Sequence, residues 1–436
     1  MVGRLRIAWI FIRGSLWFLP LIMGIAAVVL AVFLSGRRET GAQVPVLRHL
    51  LFSGDAESAR SMLSALLSAM INVTGLIISI TIVVLTLAAG QSGPRVIRHF
   101  IGDRGTQLVL GLFVAAILYL LMVLRALNGY SGDSFSHLAV SVGTGLSALC
   151  VFVLLFFIHK LAKSIMVDNV VQLVNRSFID SIDAICPRVR EQATPASEPM
   201  RGPPAKAAWI AFSAEGYIQA LQIEDLIAAA RRANTVIWID VRPGHYLVTQ
   251  GHQIAVTPAE NCSDELQEAI RQAVVVGSER TFAQDLEFGI RQLVEIGLRA
   301  LSPGINDPFT AIVVIDCLMS GLARLYRREL EASALCDADQ TLRVMRQVSD
   351  YEGLVGAAFD QLRQAARPAP SVLIHLIDSI GRLATSAQTT AERAPLISQL
   401  DAILATARST ELVAHDQAIL ERRYTLAKRA LDEWSC

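Results

Sequence analysis

Charge is what this 436-residue chain has least of. Asp, Glu, Lys and Arg make up 18% of it and hydrophobic residues 53%, against about a quarter charged in an ordinary soluble protein. The first 159 residues contain no lysine at all. Catalytic and metal signatures are missing as well. No lysine follows a glycine, so there is no phosphate-cradling P-loop; His-Glu never occurs, so there is no zinc helix of the H-E-x-x-H type; no G-x-S-x-G nucleophile elbow is present. The six cysteines (Cys150, Cys186, Cys262, Cys317, Cys336, Cys436) are scattered without a C-x-x-C, which reads as free thiols in a reducing compartment. No long basic stripe marks a nucleic-acid footprint, and DNA and RNA are rejected as partners. The chain is therefore expected to need no metal or cofactor, and no catalytic residue is assigned.

What is present is hydrophobic length. Four apolar stretches, Leu16–Leu34, about Met62–Ala89, Leu108–Leu124 and Leu138–Ile158, are long enough to cross about 30 Å of hydrocarbon at 1.5 Å per residue. The first is too long for a cleaved signal sequence and reads as an uncleaved anchor. Residues 1–159 hold eleven arginines against five acids, leaving +6, which suits anionic lipid headgroups. Basic residues near the segment ends set the orientation. Arg4 and Arg6, then Arg95, Arg98 and Arg104, then Lys160 and Lys163, all fall on one side, and Asn128–Ser136 carries no base. Both termini are thus expected in the cytoplasm of a bacterial inner membrane. The loop with Arg37, Arg38, Arg48 and Arg60 fits less well.

The second segment carries most of the information. Ser61, Ser64, Ser68, Asn72, Gly75, Ser79, Thr86 and Gly90 recur at steps of three and four, with one gap at Ile82. That spacing puts small and polar groups on one helix face. Such a face is either a close-packing seam, the commoner case, or a water-exposed lining. The fourth segment repeats the pattern weakly with Ser136, Val140, Gly143, Ser147 and Cys150. Acids and bases are absent from the interior of segments two to four, which argues against a proton-driven transporter and leaves a passive pore open.

Beyond Lys160 an amphipathic helix (Val167, Val170, Val171, Val174, Phe178, Ile182) leads to a linker at Glu191–Lys206. Short strands are expected at Ala208–Phe212, Tyr217–Leu221 and Thr235–Val241, with a helix at Glu224–Ala233. A hairpin, Tyr246–Thr249 with Gln253–Val256, is expected around Gln250-Gly251. His245 and His252 lie beside it without a carboxylate or cysteine, and read as loop residues rather than zinc ligands. From residue 264 onward the pattern is helical. Thr281 and Gln284 fit a capping box; Glu287, Arg291, Glu295 and Arg299 form an i,i+4 ladder on a solvated or interface face. Ser302-Pro303-Gly304 stops one helix, and Asp307-Pro308 starts the next as N-cap and first residue.

The runs Gly277-Ser-Glu-Arg280-Thr281 through Gln284-Asp285, Gly289-Ile-Arg291-Gln-Leu293, and Arg299-Ala-Leu-Ser302-Pro-Gly-Ile-Asn306-Asp307-Pro-Phe-Thr310 closely resemble a bacterial family of predicted membrane proteins, domain of unknown function 2254. Arg242-Pro-Gly244, Tyr351-Glu-Gly-Leu-Val355 and Phe359-Asp-Gln-Leu-Arg363 look like motifs of the same family. The resemblance spans nearly the whole chain. It implies a membrane topology and brings no activity, substrate or catalytic residue. His245 departs from the acidic residue expected after Pro-Gly.

Together these features predict a membrane α-helical protein with four transmembrane helices (1–160), an amphipathic helix and linker (161–206), a small mixed α/β module (207–260) and a helical cytoplasmic domain (261–436). The leading expectation is an oligomeric passive channel whose second helix lines the path. Its pore-lining or packing face is Ser64, Ser68, Asn72, Gly75, Ser79 and Thr86. A membrane-anchored sensor or scaffold with a cytoplasmic protein partner is the other. The lipid bilayer and further copies of the chain are the expected partners.

Overall fold

A computed structural model describes residues 17–36, 52–92, 104–129, 136–164, 167–189 and 202–433. Arg4, Arg6, Arg37, Arg38, Arg48, Arg95 and Arg98, most of the Asn128–Ser136 loop and the greater part of the Glu191–Lys206 linker lie outside the described residues. The chain divides into two compact units, residues 1–170 and 171–436.

The first unit contains α1 (Phe18–Ser35), α2 (Ala56–Ser92), α3 (Arg104–Gly129) and α4 (His137–Ser164). Its interior is built on α3, where Phe113, Leu120 and Tyr119 are fully buried against Leu63 of α2 and Val140 of α4. The Tyr119 hydroxyl donates to the Ala139 carbonyl at 2.9 Å, joining α3 to α4. His137 Nδ1 lies 2.8 Å from the Phe52 carbonyl, and Phe52 N–H donates to Ser141 Oγ at 2.7 Å. These bonds tie the approach to α2 onto α4. The outward surface is apolar, with Leu21, Ile25, Val29, Phe33, Phe152, Leu155 and Phe156 all exposed. A water-soluble domain rarely presents so large an apolar surface; hydrocarbon is the solvent that suits it.

The second unit begins within α5 (Val167–Ile185), whose Val171, Val174, Phe178 and Ile182 are buried. Two antiparallel-rich sheets follow. One runs β1-β5-β3-β8-β7, from Ala208–Trp209, Ile254–Thr257, Val236–Ile239, Leu342–Arg346 and Ala334–Cys336; the other runs β4-β2-β6, from Tyr246–Leu247, Gly216–Leu221 and Val274–Gly277. Helices α6 (Ile223–Ala233) and α7 (Asp264–Ala273) add Leu226, Leu266 and Ile270 to a core with Ile218, Ile237, Ile239 and Val344. Helices α8 (Leu286–Ala300), α9 (Pro308–Leu325), α10 (Tyr351–Ala365), α11 (Pro370–Leu383), α12 (Thr390–Arg408) and α13 (Ala414–Asp432) complete the unit. Phe178 fills the space over two glycines: a Cβ on Gly289 or Gly321 would stand 2.6 or 2.1 Å from its ring.

The predicted architecture needs correction. Strands are not confined to 207–260, because β6, β7 and β8 lie beyond it, and β8 pairs in parallel with β3 through Ile237↔Val344 and Ile239↔Arg346. A parallel pair requires a long crossover, and here the intervening chain contains α8 and α9. Nor do four helices exhaust the membrane-competent segments. Among the described residues five are long and apolar enough to cross: Phe18–Ser35, Ala56–Thr86, Arg104–Asn128, His137–Lys160 and Pro308–Leu325. The chain is a mixed α/β fold in which candidate transmembrane helices and strands are interspersed. The expected hairpin also fails, since β4 pairs with β2 while β5 pairs with β1 and β3.

Replacing Phe178 by Ala removes the ring seated over both glycines. Large-to-small core changes of this type cost about 3–5 kcal/mol, so thermal unfolding of the purified protein should show a clearly lowered midpoint. An unchanged midpoint would mean α5 does not hold α8 and α9.

Candidate functional site

Two places gather the residues singled out in the sequence. The first is α2. Its buried side is Ala59, Leu63, Met70, Thr74, Ile77, Thr81 and Val84. Thr74 and Thr81 spend their hydroxyls on the Met70 and Ile77 carbonyls, each at 2.7 Å. Ser61, Ser64, Ser68, Asn72, Gly75, Ser79 and Thr86 are all exposed, on the side turned away from the unit's own core. A Cβ built on Gly75 would meet nothing within 4 Å. Thr86 satisfies its hydroxyl on the Ile82 carbonyl at 2.9 Å; the Asn72 carboxamide, with two donors and an acceptor oxygen, sits in the open midway along the span. The stripe is not a packing seam within its own bundle.

The second is an ion cluster in which three separate sequence motifs meet. Arg242, from the Arg-Pro-Gly turn after β3, donates through Nη1 to Ser349 Oγ at 2.7 Å and through Nη2 to Glu287 Oε1. Arg291, one turn on from Glu287 along α8, donates Nε and Nη2 to the other carboxylate oxygen at 3.2 and 2.9 Å. The Glu287 side chain is only 4% exposed, so of the two settings expected for the ladder, solvated or interface, this point is buried. The rest of it is looser, with Arg299 Nη2 at 3.7 Å from Glu295. Arg280 grips Asp285 with Nε and Nη2, both 2.7 Å from Oδ2, and its guanidinium lies over the Phe288 ring.

Asp285 also accepts the Phe288 N–H at 3.1 Å and is the N-cap of α8. The expected Thr281–Gln284 capping box is therefore not the cap. Gln284 instead reaches β2, accepting the Leu221 N–H and donating to its carbonyl. The Thr281 hydroxyl oxygen is buried without a partner. Gly244 is pressed onto the cluster with φ of +91°, and a Cβ there would fall 2.1 Å from Asp285 Oδ2. No other residue fits that backbone.

Burial drives carboxyl pKa values up and guanidinium neighbours bring them down. At Asp285 burial prevails over Arg280 and the pKa is raised. At Glu287 burial also pushes upward, but Arg242 and Arg291 together outweigh it and the pKa is lowered. Burial, then Arg242, with Arg280 and Arg291 adding to it against the opposing pull of Glu287, depresses the His245 imidazole, which favours its neutral form.

The Ser302–Thr310 joint stands apart, at the other end of the fifteen-residue α8. Ser302 Oγ donates to the Arg299 carbonyl at 2.6 Å, and Asn306 takes a left-handed φ of 48°. Asp307 caps α9 as expected, accepting Thr310 N–H at 3.1 Å and Thr310 Oγ–H at 2.6 Å; these bonds, the hydroxyl's first, hold its carboxyl below the ordinary range. The joint leaves Ile305 and Phe309 exposed, Phe309 at 81%. Among the described residues no group of three His, Cys, Asp or Glu side chains is placed to hold a metal ion.

Comparison with known proteins adds a lineage. The family model described as "Predicted membrane protein (DUF2254)" matches residues 13–382. The chain belongs to that family. Two curated relatives are the uncharacterized proteins Mb1321c of Mycobacterium bovis and Rv1290c of Mycobacterium tuberculosis, each 27% identical over 438 residues that cover 96% of this chain and 81% of the relative. No solved structure matches. This DUF2254 chain is thus an integral, multi-pass bacterial membrane protein.

Sequence patterning missed the reach of Arg242 across to Glu287, because the two lie 45 residues apart. The only local hint was the Arg-Pro-Gly turn itself. Replacing Glu287 by Gln should destabilise the protein by roughly 3–5 kcal/mol, since it strands two guanidiniums, one largely buried. The sign with pH follows from the lowered carboxyl. Stability from Glu287 is full above its ordinary value of 4.5 and drains away as pH falls through the lower folded value. Acid titration of unfolding should thus lose part of its low-pH limb in E287Q; an identical limb in both proteins contradicts the assignment.

Proposed function

We propose that the protein is a passive conduit for small solutes, formed by several copies in the bacterial inner membrane with both termini in the cytoplasm, a topology that requires an even number of the five candidate spans to cross. The observation that carries this reading is the outward-facing polar stripe of α2. An Asn72 amide facing lipid tails would leave polar groups without partners, at a cost of order 1–3 kcal/mol for each unsatisfied group, whereas the serines can bond their own helix. Copies arranged with α2 inward give those groups water or each other. The span between Arg60 and Arg95 contains no ionisable residue, which fits passage without proton coupling. In this reading the second unit assembles or gates the path, and no residue acts as a catalyst.

A membrane-anchored scaffold is the second reading, supported by the exposed Ile305 and Phe309 at the α8–α9 joint, where a protein partner would bury them. A photo-crosslinker placed at position 309 distinguishes it, because only the scaffold reading expects a defined heterologous adduct.

The conduit is tested with purified protein in liposomes loaded with a small osmolyte or salt. Flux above that of empty vesicles is expected, falling severalfold in N72L while the amount of inserted protein stays constant. Absence of flux in the wild type, or equal flux in N72L, defeats the reading.

A further inference from the structure

The joint between α8 and α9 combines two properties that a loop facing water does not need together. Its outward residues carry no charge: Pro303, Gly304, Ile305, Asn306 and Phe309 are all exposed. Its backbone donors are also spent within the joint. The N–H groups of Ser302, Ile305, Asn306 and Asp307 reach the Arg299, Ser302 and Ala300 carbonyls at 2.7 to 3.1 Å, and Pro303 and Pro308 have no N–H to satisfy. Asp307, the one carboxylate, is occupied by the Thr310 N–H and hydroxyl. Glu295 and Arg299, the nearest charges back along α8, face each other at 3.7 Å. A backbone provided for in this way can enter a medium that offers no hydrogen bonds.

The end of the unit at which this joint lies follows from α5 and α9. Their contacts pair in rising order: Gln172 Nε2 lies 4.0 Å from Cys317 Sγ, Phe178 covers Gly321, and Asp183 receives Arg324 and then Arg328. The two helices therefore run parallel, and α9 starts at the end where α5 starts. Pro308 precedes Gly321 by thirteen residues, roughly 20 Å, and Val167 precedes Phe178 by eleven, roughly 16 Å, at 1.5 Å per residue. The joint thus stands level with the first turn of α5 or just past it. Chain length ties that turn to the bilayer. The candidate span His137–Lys160 closes seven residues before Val167, and only two residues separate α4 from α5.

We propose that Ile305 and Phe309 dip into the leaflet from which α4 emerges, so that the second unit rests on lipid through the α8–α9 joint. The Phe309 ring suits the boundary between headgroups and acyl chains. Helix α9 itself stays docked, with Ala311, Val314, Ile315 and Leu318 buried in its own unit. Lipid then takes the place of the partner that the scaffold reading assigns to the same two side chains. The conduit reading stands or falls separately, because the dip needs neither flux nor a second copy.

Photolabelling of the full-length protein in native membranes tests this, with a diazirine-bearing phenylalanine at position 309. Lipid adducts are expected severalfold above those from the same group at Val413, exposed just before α13, and at Ser320, exposed near the end of α9. Position 305 should behave like 309, and both side chains face outward, so neither replacement disturbs the core. A protein adduct dominating at 309 assigns the tip to a partner. Lipid yield no higher than at Val413 leaves it in water. Lipid adducts at Ser320 matching those at 309 make α9 a crossing helix rather than a docked one. Any of these three results overturns the proposal.

Discussion

Hydrocarbon offers no hydrogen bonds, and that constraint governs the first unit. Along α2 the rule is met on the inner side by Thr74 and Thr81, which fold their hydroxyls back onto carbonyls four residues earlier. On the outer side Ser64, Ser68, Asn72 and Ser79 stand exposed among the described residues. A serine can bond its own helix; an asparagine cannot satisfy its whole amide that way. Asn72 is therefore the residue that most strongly demands a neighbour, and its position among exposed Ile71, Leu76 and Ile78 sets a narrow polar track within an otherwise lipid-compatible surface.

The second unit solves a different problem with a different device. Its sheets are short, so long-range ion pairs supply connections that strand length does not. Glu287 receives guanidiniums from the turn after β3 and from its own helix, and Ser349 extends the link toward α10. Such a buried ion group is poor evidence of net stabilisation, because desolvation opposes it, but breaking it is costly. Specifying which elements meet is the role that fits.

Several local features were legible in the sequence, though the Thr281–Gln284 capping box and the hairpin around Gln250-Gly251 were not borne out, and the nonlocal pairings were not legible. Asp307 and Pro308 announce their helix because a cap acts within three residues. The apolar side of α5 follows from its spacing, and Phe178 indeed points inward. The strand Leu342–Arg346 alternates with arginine and resembles an exposed segment, yet it pairs with β3 a hundred residues earlier; nothing local signals a parallel partner. Pro308–Leu325 is expected from the sequence only as the helix that Asp307 and Pro308 start, although its length and apolarity also qualify it as a candidate span. At the ion cluster the participating motifs were visible one by one, as Arg242-Pro-Gly244, Arg280 to Asp285, and Glu287 with Arg291. Their convergence depends on how the chain returns, which no single window contains.

The central claim is that the polar track of α2 is covered by other copies of the chain. Cysteine cross-linking in native membranes tests it directly, with single cysteines introduced at Ser64, Ser68 or Ser79 in a background lacking the natural thiols. The account predicts efficient copy-to-copy disulfides at these positions and none at Phe152 or Phe156 on the exposed side of α4. Cross-linking confined to α4, or absent from the α2 track, would contradict it.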